Sequence, residues 1–171
     1  MAVPCLSRFG VLLIIFILPQ LTSYRTDMTH PTEQAALHHA LAAEGYAGDV
    51  SPQLAHQWVA AGEAVLVDVR SDAEREWVGF VPGAVALAWK QWPGMAMNPL
   101  FDDGIRAAAK SHKVVLLCRS GVRSIAAAKR ATELGVEAYN ILEGFEGDPD
   151  TQAHRGLKGG WRFRNLPWQQ N

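Results

Sequence analysis

Cysteine is almost missing from this chain. Only Cys5 and Cys118 occur in 171 residues, and Cys5 sits in an N-terminal stretch that is a candidate leader. The folded part then holds one thiol, with no internal disulfide and no resolving partner. Cysteine and histidine spacings of the kind that hold a metal are missing too. His30, His38, His39, His56, His112 and His154 are scattered along the chain. An excess of one charge sign is also lacking: 16 Lys and Arg stand against 17 Asp and Glu, for a formal net charge of −1. Without a basic run, nucleic acid is not expected as a partner. The chain has no internal repeat and no low-complexity segment, and its composition is that of a globular protein. At this length one domain with its own core is expected.

A membrane-crossing run is absent as well. Arg8 precedes the apolar stretch Phe9 to Leu18, which falls short of the about 20 residues that span a bilayer. A short positive region followed by a short apolar one is the pattern of a secretory signal peptide. Leu21-Thr22-Ser23 can serve as the cleavage site, so residues 1–23 imply an exported or periplasmic protein. An alternative start is Met28, which opens the polar run Met28-Thr29-His30-Pro31-Thr32-Glu33. Residues 1–27 would then be an extension from an upstream start codon, and the protein cytoplasmic.

What is present alternates between helix and strand patterns. Thr32 to Glu44 is alanine-rich at helical spacing, with Gly45 as its stop. Tyr46 to Val50 suits a short first strand. Ser51 followed by Pro52 is a helix cap with proline at the first helical position, and that helix runs to about Ala61. Ala64 to Val69 is nearly continuous in apolar residues, as in a parallel strand covered on both faces. Ser71 caps a short helix through Trp77, Val81 to Ala84 is a turn, and Val85 to Trp89 is the next strand. Lys90 to Asp103, rich in Pro, Gly, Met and Trp, reads as a long loop, and Ile105 to Lys110 as a helix. Lys113 to Leu117 is a strand, Ser124 to Leu134 a helix with Gly135 beyond its end, and Glu137 to Leu142 the last strand. The tail from Glu143 reads as an ordered wrap. This alternation predicts an α/β fold, an open parallel sheet with helices on both faces.

The run Cys118-Arg119-Ser120-Gly121-Val122-Arg123-Ser124 lies between an apolar strand and an alanine-rich helix. A cysteine after a strand is commonly an inert small hydrophobe. An inert cysteine, however, gives no reason for two arginines and a glycine in the next five residues, and burying those arginines unpaired is costly. The strand would deliver the sulfur to the carboxyl edge of the sheet, where ligands bind in open α/β folds. The helix from Ser124 would face it with a positive dipole end. Gly121 permits the backbone turn that points successive N–H groups at one centre. In such surroundings a thiol pKa near 8.5 falls to between roughly 3.5 and 7.5. Arg123 follows Cys118 at Cys-x4-Arg spacing. Phosphatases that form a phosphocysteine use a loop one residue longer, and the tighter cradle better suits a thiolate that carries one extra sulfur.

These residues resemble the rhodanese family of sulfurtransferases. The loop from Cys118 to Arg123 looks like that family's active-site loop. Leu66-Val67-Asp68-Val69-Arg70, Glu74, Trp77 and Gly79-Phe80-Val81-Pro82-Gly83-Ala84 are similar to its first signature, with Phe80 where a histidine is usual. Leu142-Glu143-Gly144-Phe145 resembles the closing motif, and Gly160-Trp161 with Leu166-Pro167-Trp168 resembles the tail of some single-domain members. The likeness spans residues 46–168 and implies a rhodanese-like domain there.

The resemblance implies a mechanism. Cys118 attacks the outer sulfur of thiosulfate or a similar small anionic donor and becomes a persulfide, which a thiol, a protein thiol or cyanide then relieves of its sulfur. Cys118 and Arg123 would be catalytic. Arg119, Ser120, Gly121, Val122 and Ser124 would bind the substrate, with the guanidinium groups of Arg119 and Arg123 on the oxyanion and the loop amides on the persulfide. No metal or organic cofactor is implied. Asp68 and Arg70, at the carboxyl end of the strand beside the cysteine strand, would brace the loop, or else form a surface ion pair or a helix-capping interaction. Trp89 and Trp92 would wall the pocket, or else pack in the core. Two other readings fit the same fold: an arsenate reductase or cysteine phosphatase, and a non-catalytic sulfur-carrier or regulatory module.

Overall fold

A computed structural model describes residues 38–171 of the chain. The leader reading and residues 32–37 of the expected first helix lie outside the described residues. The rest of that expected helix, His38 to Glu44, is not helical. Leu41 instead exchanges two backbone hydrogen bonds with Asp49, at 2.8 and 2.9 Å. Local alanine content favours helix here, and pairing with the edge of the sheet overrides it.

The first strand, β1, is Gly48–Val50, and helix α1 follows at Pro52–Ala60. Ser51 caps α1 as its sequence announces: Leu54 N–H donates to Ser51 Oγ at 3.1 Å. Strand β2 is Ala64–Asp68 and helix α2 is Asp72–Val78. Ser71 and Glu74 cap the start of α2 reciprocally, each accepting from the other's backbone N–H.

The expected strand Val85 to Trp89 pairs as a strand only at Val85–Ala86, here β3. The expected long loop is more ordered than its composition suggests. Lys90–Gln91 (β4) and Ala96–Met97 (β5) pair as an antiparallel hairpin. Helix α3 then runs Phe101–Ala109, starting a turn earlier than expected. The overlooked signal is Asn98. Its side-chain oxygen accepts from Leu100 N–H at 3.0 Å and its carbonyl from Phe101 N–H at 3.1 Å, which turns the chain into the helix. Asp102 and Asp103 add negative charge to the first turn. Strand β6 is Lys113–Leu117, helix α4 is Val122–Glu133 and strand β7 is Ala138–Ile141.

The five-stranded sheet has the order β1-β7-β6-β2-β3, with every pairing parallel. Its two faces are covered separately, as the apolar runs require. On one side Val67, Val69, Val114 and Leu116 pack against Phe101 and Ile105 of α3 and Ala127, Ala128 and Ala131 of α4. On the other side Leu66, Val115, Leu117 and Ile141 meet Leu54 and Ala55 of α1, and also Phe145 and Trp161 of the tail. The tail is therefore part of the core. Trp161 is buried, its indole N–H donates to the Pro167 carbonyl at 2.8 Å, and Gln169 pairs with Phe80 through two backbone bonds of 2.8 Å. From β2 the chain leaves outward to β3 and returns on the opposite side as β6. The carboxyl ends of β2 and β6 therefore flank a topological switch point, the place where open α/β sheets bind ligands.

Candidate active site

Cys118 follows directly on β6 and continues its alternation, on the same side as Val114 and Leu116. It is only 1% exposed, yet it forms part of the lining of a cleft of about 670 Å³. The sulfur thus lies at the floor of an open space and is not sealed in apolar core. Arg119, Ser120, Val122 and Arg123 line the same cleft.

The loop is shaped from two sides. Gly121 has φ of 90°, a left-handed conformation that favours glycine, and leads into α4 without a side-chain cap. The helix begins at Val122, two residues before the expected Ser124, so Ser124 lies in its first turn with its hydroxyl buried. From below, Phe145 N–H donates to the Cys118 carbonyl at 2.8 Å and Glu146 N–H to the Arg119 carbonyl at 2.9 Å. Those bonds draw the loop carbonyls toward the segment after β7 and leave the first-turn amides of α4 without side-chain partners. Gly144 makes the approach possible: a Cβ there would stand 2.5 Å from the Cys118 carbonyl oxygen and 2.6 Å from Ser120 N.

The two arginines of the loop differ. Arg119 is exposed, and its guanidinium has no hydrogen-bond or ion-pair partner among the described residues. Arg123 is half-buried and held by Glu74 of α2, with hydrogen bonds of 2.8 and 2.5 Å. Burial pushes the Glu74 carboxyl up, but the bonds and charge of Arg123, with help from Ser71, outweigh it and hold the pKa down at about 2. Arg123 in turn keeps its proton more firmly than usual, through its hydrogen bond to Glu74 first and then the nearby charges of Glu74, Cys118 and Asp68.

Asp68 and Arg70 are fully buried and bind each other. Arg70 Nε lies 3.0 and 3.1 Å from the two Asp68 oxygens, and Nη2 lies 2.6 Å from Oδ2. Arg70 Nη2 also donates to the Gly79 carbonyl at 2.8 Å, and its guanidinium carbon lies 3.9 Å over the Phe145 ring. Their link to the sulfur loop runs through Phe145, whose N–H holds the Cys118 carbonyl.

The cleft walls are apolar and exposed. Trp77 of α2 is 68% exposed and Trp92, at the tip of the β4–β5 hairpin, 61%. Met95 of the same tip lies with them, and Asp148 and Arg155 close the far side. Trp92 walls the pocket, whereas Trp89 is half-buried against the core, edge-on to Phe101 at 4.6 Å between ring centroids. Three further residues gather behind the nucleophile without having been singled out from sequence: Ser124 Oγ contacts Asn140, which contacts Asp49, which contacts Tyr46. The available signal was a lone polar residue, Asn140, in an otherwise apolar buried strand.

Comparisons with known proteins bear on the family and the fold. A family model described as a rhodanese-like domain matches residues 51–148. An uncharacterised protein of Rickettsia conorii, RC0915, is 36% identical over 116 residues, covering 62% of this chain and 83% of that protein. A Rickettsia prowazekii protein, RP600, also uncharacterised, is 34% identical over 110 residues, with coverage of 62% and 83%. Among solved structures, Rv0390 from M. tuberculosis is 41% identical, with a TM-score of 0.67 over 74% of this chain and 99% of that one.

Proposed function

The chain belongs to the rhodanese-like family, and from that footing we propose that it is a sulfurtransferase that carries a sulfane sulfur on Cys118. The observation that supports this most directly is the position of the sulfur. Cys118 lies at the floor of a cleft that it shares with Arg119, which has no partner among the described residues, and with the first turn of α4, which has no side-chain cap. An anionic sulfur donor such as thiosulfate would enter with its oxyanion toward Arg119 and the loop amides. The Cys118 thiolate attacks the outer sulfur, a new S–S bond forms, and sulfite leaves with the electron pair of the bond that breaks. In the second step a thiol, a protein thiol or cyanide attacks the outer sulfur of the persulfide, and Cys118 departs as thiolate. The backbone N–H groups after Cys118 would stabilise the charge on the outer sulfur, as donors do in an oxyanion hole.

The Cys-x4-Arg loop, shorter by a residue than a phosphocysteine loop, favours this reading over a phosphatase. The cysteine itself favours it over a purely regulatory module. The deciding experiment is the intact mass after incubation with thiosulfate. One added sulfur atom that maps to Cys118, returns to solution on addition of cyanide and is missing from Cys118→Ser is the expected result. Hydrolysis of an aryl phosphate with no sulfur uptake would overturn the proposal.

A further inference from the structure

A hydrogen-bond chain runs from the buried nucleophile to the half-buried edge of the sheet, and it has fewer protons than its acceptors call for. Ser124 Oγ lies 3.1 Å from Cys118 Sγ, 3.1 Å from the Gly121 carbonyl oxygen and 2.6 Å from Asn140 Oδ1. A hydroxyl has a single proton to donate, so the three acceptors compete for it. Ser124 and Asn140 are both buried, which leaves little room for water to relieve the shortage.

The far end of the chain decides the competition. Asn140 Nδ2 donates to Asp49 Oδ1 at 2.7 Å. An ionised carboxylate only accepts, so this contact fixes which end of the amide is nitrogen and which is oxygen. Tyr46 donates its hydroxyl proton to the same Asp49 oxygen at 2.8 Å. Burial first, then the bond to Asp49, push the Tyr46 phenol up to about 12, so it stays a donor. Asn140 therefore presents an acceptor to Ser124, at the shortest of the three distances. With its proton directed there, Ser124 Oγ turns lone pairs toward Cys118. That arrangement accepts a bond from a thiol S–H and gives nothing to a bare sulfur anion.

We propose that Asn140 is a positioning residue which, anchored by Asp49, draws the Ser124 proton away from Cys118 and so favours the resting thiol and the loaded persulfide over the bare thiolate. In a persulfide the inner sulfur is bonded to Cβ and to the outer sulfur and carries no charge, so it needs no donor from Ser124. The persulfide half of this inference rests on the sulfurtransferase reading, while the proton placement follows from the hydrogen-bond geometry alone. The other charged groups around Cys118 are Arg119 of the loop, Arg123 of α4 with its partner Glu74 of α2, and Asp148 and Arg155 of the tail. The Asp68–Arg70 pair lies beside the loop. None of these is altered by a change at Asn140.

The test is the rate of iodoacetamide alkylation of the Cys118 peptide as a function of pH, with no sulfur donor present. Asn140→Leu removes the nearest competing acceptor and leaves the hydroxyl proton to be shared between the sulfur and the Gly121 carbonyl, each at 3.1 Å. It is expected to lower the alkylation midpoint by about one pH unit, the scale set by a buried acceptor left unpaired. Asp49→Asn releases the amide to turn its nitrogen toward Ser124 and is expected to shift the midpoint in the same direction. This second variant carries the test if Asn140→Leu does not fold. Because Asp49→Asn also deletes a charge, the decisive quantity is the part of each shift that vanishes in a Ser124→Ala background. Midpoints that do not move, or shifts that survive Ser124→Ala, overturn the inference. Sulfur uptake from thiosulfate is read separately, so its failure would remove the sulfurtransferase reading and leave the alkylation result standing.

Discussion

Glu74 and Arg123 meet through two hydrogen bonds, 2.8 and 2.5 Å long, across the mouth of the cleft. The pair ties the capping box of α2 to the first turn of α4, because the same carboxylate also accepts from the Ser71 backbone N–H at 3.1 Å. The guanidinium beside Cys118 is therefore committed to a carboxylate. Its charge still acts on the sulfur, but it is not a free hook for an incoming anion.

Acid stability follows from this pair. The Glu74 carboxyl is held at about 2, below its ordinary value of 4.5. A depressed carboxylate pKa contributes stability above the unfolded value, and that contribution is lost as pH falls through the folded one. Replacing Glu74 with Gln should lower the thermal midpoint at pH 7, and the gap to wild type should narrow between about pH 4.5 and pH 2. Melting curves of both proteins across that range check it. A gap independent of pH would mean that the ion pair contributes nothing through ionisation.

Arg119 and Arg123 should separate kinetically. Arg119 is exposed and has no partner among the described residues, so Arg119→Ala should raise KM for thiosulfate with little change in melting temperature. The scale is a charge-assisted hydrogen bond of roughly 1.5–3 kcal/mol, about tenfold or more in affinity. Arg123→Ala should instead act mainly on the fold, lowering the melting temperature, because it leaves the half-buried Glu74 carboxylate without its partner. Steady-state kinetics beside calorimetry distinguish the two. The same KM and stability profile for both variants would refute the division of labour.

Gly144 should be intolerant for a reason separable from its backbone angle. Its φ is 62°, and a Cβ would press on the Cys118 carbonyl and the Arg119 and Ser120 backbone. Gly156, with φ of 80°, has nothing within 4 Å of the same atom. Both alanine variants incur the left-handed strain of about 1–2 kcal/mol, so Gly156→Ala is the control. Gly144→Ala should lose more stability than the control, and should also slow sulfur uptake, because the loop must shift. Equal effects on both counts would show that the contact with the loop is immaterial.

Signals contained in a few consecutive residues were legible from sequence: the Ser51-Pro52 cap, the apolar runs of β2 and β6, and the loop from Cys118 to Ser124. The hairpin at Lys90–Met97 was not, because two-residue strands leave no periodicity to read. The start of α3 was hidden in an Asn98 turn within a stretch whose Pro and Gly content suggested only loop. Long-range pairings were the least visible. Glu74 finds Arg123 across 49 positions and Asp49 finds Asn140 across 91, and no local pattern encodes either. The Asp68–Arg70 pair could be read as a pair but not as a buried one that reaches Gly79 and stacks on Phe145, since Gly79 at the end of α2 and Phe145 after β7 meet Arg70 only in the finished fold.

The shape of the cleft bears on donor size. A space of about 670 Å³ is far larger than thiosulfate requires and falls in the range of sites for small organic ligands. Trp77 and Trp92 expose most of their rings at its mouth, although burying them elsewhere would be favourable by about 25 cal/mol per Å² of apolar surface. A donor with an aryl or other apolar group beside its anionic end would cover those rings while Arg119 holds the charge. An arenethiosulfonate should therefore have a lower KM than thiosulfate. Trp92→Ala should raise the arenethiosulfonate KM by about tenfold, the scale of one aromatic contact of roughly 1.5 kcal/mol, and should change the thiosulfate KM much less. Comparison of the two donors on both proteins checks it. If the substitution alters both donors alike, the rings serve the fold or the hairpin and do not select the substrate.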